Sequence, residues 1–132
     1  ADVLYVSIHG DPTNFYPVVT GFEEERGEGE GYGYNINLPL PHGSDAKAFS
    51  SRLDEALAAI RLFAPDGLVF SNGFDIYYED PQAKIGVESR DIQTLGEQVA
   101  DLGLPTVAIQ EGGYHYASLA SNMAALMAGL DR

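Results

Sequence analysis

The segment SNGFDIYYEDP, residues 71–81, carries a carboxylate where metal or proton chemistry is often found. It directly follows the apolar run from Gly67 to Phe70, which predicts a buried strand, and Gly73 allows a turn before Asp75. A carboxylate at this position can bind a metal ion or accept a proton, and it can equally cap the turn that follows. Position alone leaves both interpretations open.

A second candidate segment is QEGGYHY, residues 110–116, which follows another apolar run. Gly112 and Gly113 allow the backbone to approach a ligand closely or to adopt a positive φ. The phenol of Tyr114 can donate a hydrogen bond to a developing oxyanion. The alternative is an ordinary strand-to-helix turn with a packing tyrosine, and His115 fits either interpretation.

The third candidate segment is SIHGDPTNFYP, residues 7–17. His9 can bind a metal or carry a proton, although a histidine after a buried strand is more often a hydrogen-bonded structural group. Phe15 and Tyr16 can line an apolar channel, or they can simply hold the loop in place. His42 lies in a Pro-Gly turn, where we expect it to be solvated.

Strands alternate with helices along the chain, and this order predicts an α/β fold of three layers with a mostly parallel sheet covered on both faces. Strands are predicted at 3–8, 34–40, 67–71 and 105–109, and helices at 44–64, 89–102 and about 119–130, with Ser44 as the first N-cap. All 132 residues form a single predicted domain. In such sheets functional groups lie at the carboxyl ends of the strands, so we expect the three segments to converge.

The composition narrows the classes of partner. The chain has 20 acidic and seven basic residues, so its formal net charge is -13 and it should repel nucleic acids. That charge attracts cations such as polyamines, or it serves solubility alone. The chain has no cysteine, no apolar run of about 20 residues and no signal-peptide pattern. We therefore expect a cytoplasmic protein that does not bind membranes.

Four segments occur together and in order: YVSIHGDPTNFYP, GFEEERGEGEGYGYNINLPLP, GFDIYYEDP and QEGGY. With them the chain resembles the C-terminal part of the arginase/deacetylase-fold amidohydrolases, which include histone deacetylases and, more closely, bacterial acetylpolyamine amidohydrolases. The resemblance implies a partial domain of that fold. It also implies that the complete domain removes an acetyl group from an amine with a zinc-bound water and contains a structural potassium ion.

The resemblance further implies roles for individual residues. Asp75 corresponds to one zinc ligand, and Tyr114 corresponds to the tyrosine that polarises the acetyl carbonyl. The other implied roles are Phe15, Tyr16, Gly112 and Gly113 in the substrate tunnel, and Ser7 with the carbonyl of Ile8 in part of the potassium site.

The chain lacks the Asp-x-His segment and the paired histidines of the family, and a catalytic zinc needs about three protein ligands. We therefore expect a half-domain that is inactive and binds no stoichiometric metal by itself. We expect it to form a homodimer or higher oligomer through the sheet edge exposed at 3–8. One alternative is a fragment or subunit of a zinc-dependent acetylpolyamine or acyl-lysine deacetylase, completed by an N-terminal part. Another alternative is a module that binds a cation or polyamine.

Overall fold

The computed structural model describes residues 2–131. The strands are β1 Tyr5–Gly10, β2 Asn35–Leu40, β3 Ser44–Asp45, β4 Leu68–Asn72, β5 Ile85–Gly86 and β6 Thr106–Gln110, and the helices are α1 Ala46–Phe63, α2 Ser89–Ala100 and α3 Tyr116–Leu130. Each longer strand and each helix was predicted from the sequence to within a few residues. The strands β3 and β5 were not predicted, because two residues are too short to show a periodic pattern.

The predicted N-cap of α1 is wrong by one residue. Ser44 is already paired in β3, and its hydroxyl donates to the carbonyl of Pro41 at 2.6 Å. The carboxylate of Asp45 accepts the backbone N–H of Ala48 at 2.9 Å and so caps the helix. Both residue types are good N-caps, and the bonding of Ser44 within its own turn decides between them.

All strand pairs are parallel, as predicted. Strand β1 pairs with β2, strand β4 with β6, and the short β3 with β5. Among residues 2–131, no ladder joins the β1–β2 pair to the β4–β6 pair. The strands therefore form three separate two-stranded pieces rather than one continuous sheet.

One hydrophobic cluster holds these pieces and the helices together. Its buried members come from β2, from β5 and the residues just after it, from the turn after β4 and from all three helices: Leu40, Phe49, Leu53, Leu57, Phe74, Tyr77, Ile85, Val87, Ile92, Leu95, Val99 and Leu126. Helices α2 and α3 cross closely where Gly96 faces Gly129, since a Cβ at Gly96 would lie 2.6 Å from the carbonyl oxygen of Leu126. The amphipathic spacing of α1 and α2 is thus explained by this cluster.

Strands β4 and β6 are not buried on both faces, which corrects the prediction. Leu68 and Phe70 of β4 pack against the cluster. On the other face Val69 is 68% exposed, and in β6 Val107 is 61% and Ile109 44% exposed. The described residues cover only the inner face of β4, so these strands carry apolar side chains that nothing in residues 2–131 shields.

Helix α3 has a similarly uncovered surface. It contains no charged residue, and Tyr116 is 81% and Met127 50% exposed. A largely apolar helix that exposes such side chains is typical of a position buried in a larger protein. Within residues 2–131, no helix combines the length and apolarity needed to cross a membrane.

Candidate functional site

The carboxyl ends of β4 and β6 bring two of the three candidate segments together. The ladder ends with Asn72 opposite Gln110, and two further hydrogen bonds extend the contact beyond it. Glu111 N donates to the carbonyl of Asn72 at 3.0 Å, and Phe74 N donates to the carbonyl of Gly112 at 2.8 Å. The two loops are thereby held side by side.

Asp75 lies between glycines of both loops. A Cβ at Gly73 would come within 2.5 Å of its Oδ1, and a Cβ at Gly112 would come within 2.6 Å of its Oδ2. Gly73 has a φ of -94°, so this site needs a glycine for space rather than for backbone conformation. Burial raises the pKa of the half-buried Asp75 carboxyl, and the charges of Asp80 and Glu111 act in the same direction.

Gly113 needs a glycine for backbone conformation as well as for space, because its φ is +140°. A Cβ there would also lie 2.8 Å from Cδ2 of Leu119 and 3.0 Å from Cβ of Phe74. Of the two conformations expected for these glycines, Gly113 has the positive φ, whereas Gly112 lies close to the Asp75 carboxylate. The chain then continues to Tyr114, whose side chain is 50% exposed.

Asp80 is a site residue whose role is not predicted by the sequence. Its carboxylate is almost fully buried, at 6% exposure. Oδ2 accepts the backbone N–H groups of Tyr114 at 2.6 Å and His115 at 2.9 Å, and Oδ1 accepts that of Gln82 at 2.8 Å. Only the Asp-Pro dipeptide hints at a turn there, since the decisive partners are 34 and 35 residues away in sequence.

The first tyrosine after Asp75 is structural. Tyr77 is buried, its hydroxyl donates to Glu79 at 3.0 Å, and its ring stacks on that of His115 with centroids 5.9 Å apart. Burial raises the pKa of Tyr77 to about 12. Tyr78 meets the ring of Tyr77 edge-on and is itself exposed.

A buried polar network fixes His115 from its other side. Its Nδ1 lies 2.9 Å from the hydroxyl oxygen of Ser118, which also accepts Nδ2 of Asn122 at 3.3 Å. Asn122 is fully buried, and its Oδ1 accepts the hydroxyl of Ser89 at 2.6 Å. This network connects the start of α2 to the start of α3, and it fixes the backbone immediately after Tyr114.

His9 is a structural group in this fold. Its Nε2 lies 2.8 Å from the carbonyl oxygen of Gly21, so we assign the proton to Nε2. Nδ1 of the neutral ring then accepts the hydroxyl of Ser7 at 2.8 Å. Ser7 and Ile8, the residues expected in part of the potassium site, both lie in β1. The lone pairs of the Ser7 oxygen are available to a cation, and Ile8 pairs with Leu38 in the β1–β2 ladder.

The expected tunnel residues Phe15 and Tyr16 lie in a separate group. Phe15 meets the ring of His42 edge-on, and Nζ of Lys84 lies 4.9 Å from its ring centroid. His42 is exposed, as expected, and its Nε2 donates to the carbonyl of Asp11. Tyr16 is 84% exposed. Among residues 2–131, no hydrogen bond or ring contact joins Phe15 or Tyr16 to Asp75 or Tyr114.

The described residues offer a zinc ion only part of a ligand set. The carboxylate of Asp75 is a suitable oxygen ligand, held open by two glycines. Residues 2–131 nevertheless contain no group of three His, Cys, Asp or Glu side chains that could hold a metal. These residues by themselves do not fit a zinc site, and further ligands would have to come from elsewhere.

Residues 1–130 match the Histone deacetylase domain. The chain belongs to the histone deacetylase family. It is 58% identical over 128 residues to an acetylpolyamine amidohydrolase of Burkholderia pseudomallei, and 46% identical over 130 residues to acetylpolyamine amidohydrolase 1 of Pseudomonas aeruginosa. These matches cover 97% and 98% of this chain but only 38% of each relative. The chain thus spans little more than a third of the length of these relatives.

Solved structures confirm the predicted fold class. The crystal structure of the Burkholderia pseudomallei acetylpolyamine aminohydrolase matches with a TM-score of 0.96, over 97% of this chain and 37% of that one. A histone deacetylase homologue from Aquifex aeolicus, 29% identical, matches with a TM-score of 0.87 over 96% of this chain and 35% of that one. The resemblance stated from the sequence is therefore confirmed.

Proposed function

We propose that this chain is the part of a zinc-dependent acetylpolyamine deacetylase that supplies one zinc ligand, Asp75, and the oxyanion-stabilising phenol of Tyr114. The observation that carries the proposal is the pairing of two loops, which seats the Asp75 carboxylate against Gly112, two residues before Tyr114. Because the described residues hold no complete metal site, the chain alone should be inactive.

The chemistry of the two side chains follows from their surroundings. Zinc, when bound, polarises an acyl carbonyl and makes a water molecule more acidic. Asp75 would be one of about three protein ligands that such a site needs. The half-exposed phenol of Tyr114 is free to donate to the oxygen of the acyl group as negative charge develops on it.

The rest of a deacetylase domain is the proposed cover for the exposed apolar surfaces. Those surfaces are the outer face of β4 and β6 and the uncharged helix α3. The relatives are more than twice as long as this chain, so they have ample chain to cover them. A second copy of this chain is the competing occupant. Sedimentation at micromolar concentration would detect a second copy. It separates a monomer from the homodimer or higher oligomer expected through the edge of β1.

The charge of the chain and the names of its relatives favour a cationic acylated amine as substrate. A net charge of -13 attracts polyamines over distances of about a Debye length. Two relatives are named acetylpolyamine amidohydrolases. A simple polyamine-binding module would instead show saturable spermidine binding by the 132-residue chain in physiological salt.

The decisive experiment is a full-length hybrid. In it, this chain replaces the matching segment of the Burkholderia pseudomallei relative, and the hybrid is assayed with acetylputrescine and for bound zinc. We expect an active hybrid with stoichiometric zinc, and no stoichiometric zinc on the 132-residue chain in native mass spectrometry. A folded hybrid without activity would refute the proposal.

Point variants of the hybrid assign the roles. Asp75→Ala should remove zinc and activity together. Tyr114→Phe should retain zinc and lower kcat about a hundredfold to a thousandfold, the usual effect of losing one oxyanion donor. Asp66→Asn is the matched control, because Asp66 is an exposed acid at the opposite end of β4 and should change neither readout.

A further inference from the structure

Asp80 is a buried acid without a basic partner in the part of the chain that the structure describes. It is 6% exposed, and none of the ion pairs between residues 2–131 includes it. Its charge is instead balanced by three backbone N–H groups, those of Gln82, Tyr114 and His115. Hydrogen bonds to an ionised acceptor are about twice as strong as neutral ones, so this carboxylate holds its donors firmly.

The local turn fixes Asp80 before it reaches the second loop. Asp80 N donates to the carbonyl of Tyr77 at 2.9 Å, and Ala83 N donates to the carbonyl of Asp80 at 3.0 Å. With the Gln82 N–H on Oδ1, three hydrogen bonds hold Asp80 within its own turn, two through its backbone and one through its carboxylate. Oδ2 therefore presents a fixed acceptor to the second loop.

The second loop needs such an acceptor at Tyr114. His115 is the N-cap of α3, and no side chain of its own segment caps the helix. Gly113, the residue before Tyr114, has a φ of +140°, which residues other than glycine rarely adopt. The Asp80 carboxylate binds the two N–H groups that follow this glycine, and so sets the direction in which Tyr114 leaves the backbone.

We propose that Asp80 is the positioning residue for the Tyr114 phenol: by binding the backbone N–H groups of Tyr114 and His115, it sets the distance of the phenol from the Asp75 carboxylate. The proposal rests on the proposed function, and it adds a residue that acts through Tyr114 without touching the substrate. Misplacement of a catalytic group by about 1 Å costs about a hundredfold in rate.

The activity test uses the hybrid with three single variants and one double variant. Asp80→Ala should lower kcat about tenfold to a hundredfold while KM changes little, because the lost interaction acts in the transition state. Asp80→Asn retains one acceptor oxygen and should lose less. Adding Tyr114→Phe to Asp80→Ala should cause less than the product of the two single effects, because both act through the same phenol.

The matched control is Asp45→Ala, which removes another carboxylate that accepts a backbone N–H, at the start of α1. It should destabilise the protein without changing kcat. If Asp80→Ala affects kcat no more than Asp45→Ala, or if its effect multiplies fully with that of Tyr114→Phe, the positioning role is wrong. An inactive parent hybrid would instead refute the proposed function.

A structural test on the 132-residue chain is independent of activity. We expect Asp80→Ala to increase the hydrogen-exchange rates of the Tyr114 and His115 amides at least tenfold, and Asp45→Ala to leave them unchanged. Asp80→Asn replaces Asp80→Ala if the latter does not fold. Unchanged exchange at both amides in a folded Asp80 variant would overturn the inference whatever the hybrid does.

Discussion

Replacing Gly112 by alanine tests the geometry of the site most directly. The new Cβ would lie 2.6 Å from Oδ2, 2.9 Å from Cγ and 3.2 Å from Oδ1 of Asp75. The carboxylate is the end of a short side chain, and turning it away from Gly112 also moves the oxygen that lies against Gly73. Alanine therefore has to displace the Asp75 side chain or separate the two loops.

Overpacking of this kind costs about 1–3 kcal/mol. For a chain of 132 residues, about 2 kcal/mol corresponds to a fall in Tm of about 8 °C. Urea and thermal unfolding of the 132-residue chain measure the loss. The control is Gly31→Ala, because a Cβ at Gly31 meets nothing within 4 Å and the position has no positive φ. That control should be neutral or slightly stabilising.

The origin of the loss is checked with a double variant. If the contact with Asp75 is responsible, Gly112→Ala should cost much less in an Asp75→Ala background, because the colliding atoms are gone. An equal loss in both backgrounds would place the strain elsewhere. If Gly112→Ala is no worse than Gly31→Ala, the close approach of the two loops described above is wrong.

Three further predictions concern a buried phenol, a loop acid and the exposed strand face. Burial raises the pKa of Tyr77 to about 12. The stabilising contribution of this phenol is therefore complete below pH 10 and is lost as the pH rises towards 12. An absorbance titration should show one tyrosine that ionises at higher pH than the others, and this signal should be absent in Tyr77→Phe. A hydrogen bond from the backbone N–H of Gly21 lowers the pKa of Glu25. The contribution of this carboxylate to the stability of the fold is therefore present above pH 4.5 and is lost on acidification. At neutral pH, Glu25→Gln should speed amide hydrogen exchange at Gly21. Val107→Asp should change the stability of the 132-residue chain by less than about 0.5 kcal/mol but destabilise the hybrid severely. Equal effects in both proteins would mean that nothing covers β6.

Helix and strand positions could be predicted from the sequence because their signals are local. The spacing of apolar residues in α1 and α2 is explained by a cluster that these residues themselves complete. The burial of the strands within these residues could not be predicted. An apolar run indicates that a strand is suited to a buried position, but it does not say which part of a protein covers it. Val69 and Val107 follow the pattern of strands buried on both faces, but residues 2–131 cover only one face of β4 and neither face of β6.

The site shows the same division between local and distant causes. Asp75 and Tyr114 were found because each follows a predicted strand, and parallel strands bring their carboxyl ends to one edge. Asp80 was missed because its role depends on a register between two loops 34 residues apart. The purely spatial requirement at Gly112 and the additional conformational requirement at Gly113 likewise appear only when both loops are placed.

The hydrogen bonds between the Asp75 and Tyr114 loops affect how a further polypeptide would complete the site. Two backbone hydrogen bonds join the loops at their start, and Asp80 joins them at their end, all within this chain. The Asp75 and Tyr114 loops are thus ordered before any further polypeptide binds. Binding would therefore not have to offset the entropy lost in ordering these loops. A completing polypeptide would need only to bring its own ligands and cover the apolar strand face. Its binding energy would come from that apolar surface, while the precision of the site would come from Asp80 and the glycines.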